Sequence, residues 1–300
     1  MAEAVLTVKN LNKSFGRKQV LHKISFSCAP GRIVGLVGAN GAGKTTIMKA
    51  VLSLTSSTGE VTIDGQKSTF DHHPVLDEVG ALIEYPGIYP YLSGRDHLKL
   101  FAMGNKNTQD IQALVDALNM NKYIDTKARS YSLGMKQKLG IAMAFLNDPK
   151  LVILDEPMNG LDPQATKELR DLIIAKRDEG VTFLISSHIL SELQKLAEDL
   201  IIIDHGKIVQ ETTMDALLES NNHFVVVSTT DDVKAKQVLS EEGYKLVGDV
   251  EVKIQTKTDD AVADVLKTLS DNQVTVTDVQ HQDEDLEGSV LKLLESEDQK

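Results

Sequence analysis

Residues Gly38 to Thr45 read Gly-Ala-Asn-Gly-Ala-Gly-Lys-Thr, a full match to the phosphate-loop pattern Gly-x-x-x-x-Gly-Lys-Ser/Thr, and no other stretch limits the fold so tightly. The pattern works only between a buried strand and the N-terminus of a helix. Ile33, Val34, Leu36 and Val37 supply the strand as a short apolar run, and Thr46 to Leu54 reads as the helix. Glycines let backbone N–H groups approach an anion closely, and the helix dipole adds partial positive charge at the same place. On this reading Gly38, Asn40, Gly41, Ala42, Gly43 and Thr46 shape a cradle, Lys44 places a point charge on β- and γ-phosphates, and Thr45 offers a hydroxyl to Mg²⁺. The loop predicts nucleotide binding and leaves the reaction open, because kinases, switches, motors and transport ATPases share it.

A formal charge of −12 across 300 residues argues against a nonspecific nucleic-acid binder, whose affinity comes from clustered Lys and Arg. The lone Cys28 forms no intrachain disulfide and reads as a small buried hydrophobe, in keeping with a reducing cytosol. No N-terminal stretch has the pattern of a secretory signal, and no apolar run approaches the roughly 18–20 residues that span a bilayer. The chain is expected to be soluble and cytoplasmic, so that any work at a membrane needs another subunit to provide the span.

Strand-like stretches lie at Val5 to Val8, Ile24 to Cys28, Glu60 to Asp64 and Val79 to Ile83. Phe15, in Ser14-Phe15-Gly16, would either stack on an adenine or simply pack. After Glu84 the run Tyr85-Pro86-Gly87 and Tyr89-Pro90-Tyr91-Leu92 cannot be a helix interior. Gly94 to about Tyr123 turns helical, and an apolar helix follows at Leu139 to Leu146. Strand Leu151–Leu154, helix Pro163–Asp178, strand Val181–Ile185, helix Ile189–Glu198 and strand Leu200–Ile203 then alternate as in a parallel sheet covered on both faces. The expected fold class is α/β, with residues 1–220 as one nucleotide domain carrying a helical insert at about 94–145. Residues 221–300 are expected as a small α+β domain. Its strands are Phe224–Ser228, Lys245–Val247, Glu251–Thr256 and Val274–Val279, its helices Asp232–Glu242 and Asp260–Asp271, giving a ferredoxin-like β-α-β-β-α-β order. The acidic runs Gln282–Glu287 and Glu295–Lys300 read as solvated surface and a frayed tail.

Asp155 and Glu156 follow the buried strand Leu151–Leu154 directly, at the end of a strand where open α/β sheets bind ligands. Two solvated acids capping a strand would look the same in isolation. With a phosphate loop more than a hundred residues upstream, the functional reading is preferred: Asp155 for Mg²⁺ and Glu156 to polarise an attacking water.

Further motifs now resemble the ATP-binding cassette family over nearly all of the first domain. Tyr131-Ser132-Leu133-Gly134-Met135-Lys136-Gln137 stands where that family has its Leu-Ser-Gly-Gly-Gln signature, Asn159-Gly160-Leu161-Asp162 resembles its D-loop, and Ser186-Ser187-His188 its switch histidine. The resemblance implies a P-loop cassette in which Ser132 and Gly134 clamp the γ-phosphate of ATP bound to the opposite subunit. Hydrolysis would then need a dimer, with a second copy of the chain as the expected partner. It further implies that His188 bonds the γ-phosphate and positions the water, that Asp162 links the two sites, and that Phe15 stacks on adenine. Two departures stand out. Leu133 and Met135 replace a signature glycine and the glutamine, and Glu84 occupies the place of the Q-loop glutamine, which would set a carboxylate near Mg²⁺.

Glu84, the Tyr-Pro-Gly run, the Ser-Leu-Gly-Met signature and the short α+β tail together look like the ATPase subunits of bacitracin-resistance and lantibiotic-immunity exporters. That implies ATP hydrolysis powering a separate integral-membrane permease, with the chain peripheral on the inner face of the membrane and no specific nucleic acid as partner. The loop Tyr85–Leu92 with the helical insert is the expected permease-docking groove. The alternatives are a soluble cassette acting in translation or DNA repair, and a nucleotide-gated regulatory module.

Overall fold

Apolar runs at 33–37, 151–155 and 182–187 are buried along all or nearly all of their length, and strands buried on both faces belong inside a parallel sheet. The computed structural model describes residues 3–102, 108–219, 223–248, 251–256 and 261–283, and the chain divides into two units, Met1–Met214 and Asp215–Lys300. In chain order the first unit contains β1 (Leu6–Phe15), β2 (Lys18–Cys28), β3 (Ile33–Val37), α1 (Lys44–Val51), β4 (Thr58–Ile63), β5 (Gln66–Ser68), β6 (Val79–Leu82), α2 (Gly94–Phe101) and α3 (Thr108–Ala117). It continues with α4 (Leu133–Ala144), β7 (Leu151–Asp155), α5 (Pro163–Asp178), β8 (Thr182–Ser187), α6 (Leu190–Leu193), β9 (Asp199–Asp204) and β10 (Lys207–Thr213).

The central sheet has the order β10-β9-β3-β8-β7-β6. Its strands pair in parallel except β9 with β10, which is an antiparallel hairpin. Parallel pairing brings the C-terminal ends of β3, β7 and β8 to one edge, so the loops after residues 37, 155 and 187 meet there. A second sheet, β2-β1-β4-β5, is antiparallel. Leu6, Leu21, Ile24 and Ile63 from it, Ile47 and Met48 from α1, and Leu36 and Ile153 from the central sheet form one buried cluster. Helix α1 is thereby fixed between two sheets, which makes the loop before it a rigid element. Cys28 belongs to this cluster as a free thiol, and burial pushes its pKa up so that it stays protonated.

Several elements differ from the sequence expectation for local reasons. The β1–β2 hairpin runs on to Phe15 and Lys18 rather than stopping near Val8. Register shifts after Val8 and Leu11, and left-handed backbone at Asn10 and Lys23, break the simple alternation that would have revealed its length. Helix α4 starts at Leu133 because Ser132 caps it, accepting from the Met135 N–H at 3.3 Å. The helix expected over Ile189–Glu198 keeps one α-helical turn, and beyond it Lys195 N–H and Leu196 N–H donate to Glu192 O and Leu193 O three residues back.

Helix α7 (Met214–Glu219) begins on the last residue of the first unit. The second unit holds β11 (His223–Thr229), α8 (Asp232–Glu241), β12 (Val252–Thr256), α9 (Ala261–Asp271) and β13 (Val276–Asp283). Its antiparallel sheet has the order β12-β11-β13. Val225, Val227, Val252 and Ile254 pack on Ala235 and Leu239 of α8 and on Val265 and Leu269 of α9. The strand expected at Lys245–Val247 shrinks to a single bridge between Leu246 and Ile254, carried by Val247 N–H to Lys253 O at 2.8 Å and Gln255 N–H to Lys245 O at 2.9 Å. Gly248, with φ of 80°, turns the chain before a longer ladder forms. The acidic stretches 284–287 and 295–300 lie outside the described residues.

Candidate nucleotide site

The loop 38–45 leaves β3 and enters α1 through Gly43, whose φ of 116° is open to glycine. No side chain caps that helix end, so its N–H groups are left for a ligand. Gly38 is required by close approach, since a Cβ there would lie 2.3 Å from the Ile203 carbonyl oxygen. Asn40 and Gly41 are exposed at the tip, Ala42 and Gly43 are buried, and Thr45 and Thr46 are half-buried. Lys44 is buried and lies across the loop, with Nζ donating to Gly38 O at 2.6 Å and Ala39 O at 3.3 Å. Its Nζ is also 3.5 Å from Glu156 Oε1.

Asp155, 4% exposed, is held by two hydroxyls. Thr45 Oγ1 donates to one carboxylate oxygen at 2.7 Å and Ser186 Oγ to the other at 2.6 Å. Ser186 Oγ also accepts from Glu156 N–H at 2.9 Å. Glu156 itself has a left-handed backbone, φ 48°, which ends the extended run of β7. His188 Nδ1 is 2.8 Å from Glu156 Oε2 and carries the proton there, because a carboxylate only accepts. Lys44, Thr45, Asp155, Glu156 and His188 thus form one connected cluster around the phosphate loop.

The donors near Thr45 suit Mg²⁺. A hydroxyl and a carboxylate are hard oxygen ligands, and Mg²⁺ takes one or two carboxylates while keeping water and phosphate oxygens. Among the described residues no group of three or more His, Cys, Asp or Glu is placed to hold a metal ion by itself.

The other sequence candidates have partners outside this cluster. Glu84 follows β6 and is paired with Lys49 of α1 at 2.8 Å. Phe15 lies at the β1–β2 turn, 55% exposed, with Lys13 Nζ 4.7 Å from its ring centroid. Ser132 and Gly134 stand at the start of α4, and a Cβ on Gly134 would meet Gly160 O at 3.0 Å. Among the described residues no hydrogen bond joins them to the phosphate loop. Asp162 caps α5, accepting from Ala165 N–H at 2.8 Å.

Three side chains have roles that the sequence motifs do not assign. Ser186, named in sequence only as the neighbour of the switch histidine, ties Asp155 to Glu156. Lys49 neutralises Glu84, thirty-five residues away in sequence. His97, fully buried, accepts from Tyr89 N–H at 2.8 Å through Nε2 and donates to Ser93 O at 2.7 Å through Nδ1. It therefore pins the loop that presents Tyr85 and Tyr91, which are 81% and 76% exposed. Beside that loop a cavity of about 300 Å³ is lined by Gly87, Phe101, Met143, Ala144 and Asn147 among others.

A family profile described as ABC transporter matches residues 21–159. The bacitracin transport ATP-binding protein BcrA of Enterococcus faecalis is 33% identical over 97% of each chain. The lantibiotic transport ATP-binding protein SrtF of Streptococcus pyogenes is 40% identical over 70% of this chain and 92% of its own. A solved structure described as the ATP binding subunit of an ABC transporter is 29% identical, with a TM-score of 0.66, over 71% of this chain and 91% of its own. No helix among the described residues is long and apolar enough to cross a membrane.

Proposed function

Since the chain belongs to the ABC transporter family, we propose that it is the ATP-hydrolysing subunit of a transporter, paired with a second nucleotide-binding subunit and docked on a separate membrane permease. The proposed cargo is a membrane-active antimicrobial peptide of the bacitracin or lantibiotic class, the kind named for the relatives BcrA and SrtF. One observation carries the paired reading. Lys44, Thr45, Asp155, Glu156 and His188 converge on one phosphate site, whereas Ser132 caps α4 and Gly134 lies against Gly160, and among the described residues no hydrogen bond joins either to that site.

In this reading Gly38 to Thr46 bind the phosphates of ATP through backbone N–H groups and Lys44, and Phe15 offers its exposed ring to the adenine. Thr45 and Asp155 would hold Mg²⁺, which supplies charge neutralisation to the phosphates when bound. Glu156 accepts a proton from the attacking water as its oxygen bonds to the γ-phosphorus. The bond from that phosphorus to the β–γ bridging oxygen breaks, leaving ADP and phosphate. His188 fixes the Glu156 carboxylate through the 2.8 Å bond, and its imidazole would bond the γ-phosphate of bound ATP. Ser132 and Gly134 of the second subunit complete the site with a hydroxyl and a helix N-terminus.

Tyr85, Tyr89 and Tyr91 form the exposed aromatic loop on which a permease helix docks, which makes the chain a peripheral protein at the cytoplasmic face. Co-purification from detergent-solubilised membranes tests this. A polytopic partner in fixed stoichiometry supports transport, and ribosomes or DNA in its place would overturn it. Growth of cells with and without the subunit in bacitracin and in a lantibiotic tests the cargo, and equal tolerance in both peptides refutes it.

A further inference from the structure

Leu133 stands in the signature where the family pattern has glycine, and it is 60% exposed. Its side chain nevertheless has a defined seat. A Cβ built on Gly160 would lie 2.9 Å from Leu133 Cδ2 and 3.1 Å from its Cγ, so the leucine occupies the space left by the missing side chain of Gly160. One turn further along α4, Gln137 is 5% exposed and its Nε2 donates to Pro157 O at 3.1 Å. Residues 133, 134 and 137 share one helix face, and that face grips the segment 157–161 at both ends.

The gripped segment starts at the residue after Glu156, the proposed water-polarising group. The backbone turns through left-handed conformation at Glu156 and at Gly160, φ 48° and 77°, so the segment is a short, sharply bounded loop. On its far side lies a cavity of about 340 Å³, lined by Pro157, Met158, Asn159 and Leu161 of the segment and by Arg170 and Leu193 beyond. Packed interiors resist displacement, so an open volume behind one short loop marks where movement is permitted.

We infer that Leu133 and Gln137 are positioning residues that clamp the 157–161 loop to α4, so that phosphate contact at Ser132–Gly134 shifts Glu156 of the same subunit. Binding of a partner's ATP at one end of α4 is thereby transmitted to the carboxylate that acts on the chain's own ATP. The inference rests on the paired-subunit reading above, and its test separates the two. A misplacement near 1 Å costs on the order of a hundredfold in rate, so a loosened clamp is expected to lower kcat about tenfold without a parallel change in nucleotide affinity.

Hydrogen–deuterium exchange of the full chain, with and without ATP, is the direct measurement. In the wild-type protein ATP is expected to change exchange in the first turn of α4 and in 157–161 together. In Leu133→Ala the α4 change persists and the 157–161 change is lost, kcat falls about tenfold, affinity for a fluorescent ATP analogue holds within twofold, and Leu133→Met restores kcat. Gln137→Met, which keeps the volume and removes the donor, is expected to act in the same direction. A wild-type response confined to α4, or Leu133→Ala with wild-type exchange and kcat, would overturn the clamp. A wild-type protein in which ATP alters neither segment would overturn the pairing of subunits, and the clamp with it.

Discussion

Glu156→Gln isolates the chemistry of one carboxylate while preserving its shape. The wild-type side chain accepts from His188 Nδ1 at 2.8 Å and from His188 N–H at 3.4 Å with Oε2, and its Oε1 lies 3.5 Å from Lys44 Nζ. An amide keeps one oxygen and turns the other position into a donor. If the oxygen stays with His188, the NH₂ faces the Lys44 ammonium and that contact is lost. Binding of ATP should suffer little, because the phosphates meet Lys44 and the loop rather than Glu156, and removing a negative charge beside them favours binding. Catalysis should suffer much more. Proton transfer to a positioned base is worth about 10²–10⁴ in rate, or roughly 2.7–5.5 kcal/mol of barrier. The expected result is phosphate release slowed by that factor, nucleotide affinity unchanged or tighter, and an ATP-dependent dimer on size exclusion that persists because ATP is not consumed. Phosphate release within tenfold of wild type would remove Glu156 from the role of base, whatever its contact with His188.

Lys44→Ala should weaken binding of a fluorescent ATP analogue by about ten- to a hundredfold, the range of a charge-assisted hydrogen bond worth roughly 1.5–3 kcal/mol; unchanged affinity would refute the cradle. Gly38→Ala sets a methyl 2.3 Å from the Ile203 carbonyl oxygen, so thermal melting should show a loss of about 1–3 kcal/mol from overpacking, together with weaker nucleotide binding. Glu84→Gln breaks a pair whose side chains are 33% and 55% exposed, so the change in stability by chemical denaturation should stay below about 1 kcal/mol. Loss of the Mg²⁺ dependence of nucleotide binding in that variant would return Glu84 to the metal.

The parts of the fold that were legible in the sequence are those whose residues serve one purpose throughout. Strands β3, β7 and β8 carry apolar cores at 33–37, 151–154 and 183–185 because both faces are covered there, and a fixed eight-residue motif marks the turn from β3 into α1. Strand β10 is not legible in the sequence because it is a half-exposed edge strand, KIVQETT, with polar residues on both faces. The full length of the hairpin β1–β2 is hidden in the sequence because bulges destroy alternation without destroying pairing. Within the site, motifs report residue types at fixed spacing and say nothing of partners from elsewhere. The register Asp155 opposite Ser186 exists only once β7 and β8 pair. The Lys49–Glu84 pair likewise needs α1 to lie near the end of β6, a tertiary fact that neither local sequence contains.

The arrangement around Glu156 explains why control of hydrolysis would run through one short loop. A non-glycine residue in left-handed backbone persists only where its surroundings over-determine it, and here they do. Ser186 holds the backbone N–H of Glu156 while donating to the buried carboxylate of Asp155, and Asp155 in turn is tied to Thr45 at the start of α1. His188 and Lys44 fix the side chain from the front. Strand β7 fixes it from behind, with Asp155 and its predecessors fully enclosed. Lys44, Thr45, Asp155 and Ser186 are therefore anchored in the central sheet or in α1. The segment 157–161 is anchored instead to the face of α4, through Leu133 and Gln137, with open volume on its other side. A signal that reaches Glu156 without unfolding the sheet edge has this segment as its route, and α4 is the element that can move it.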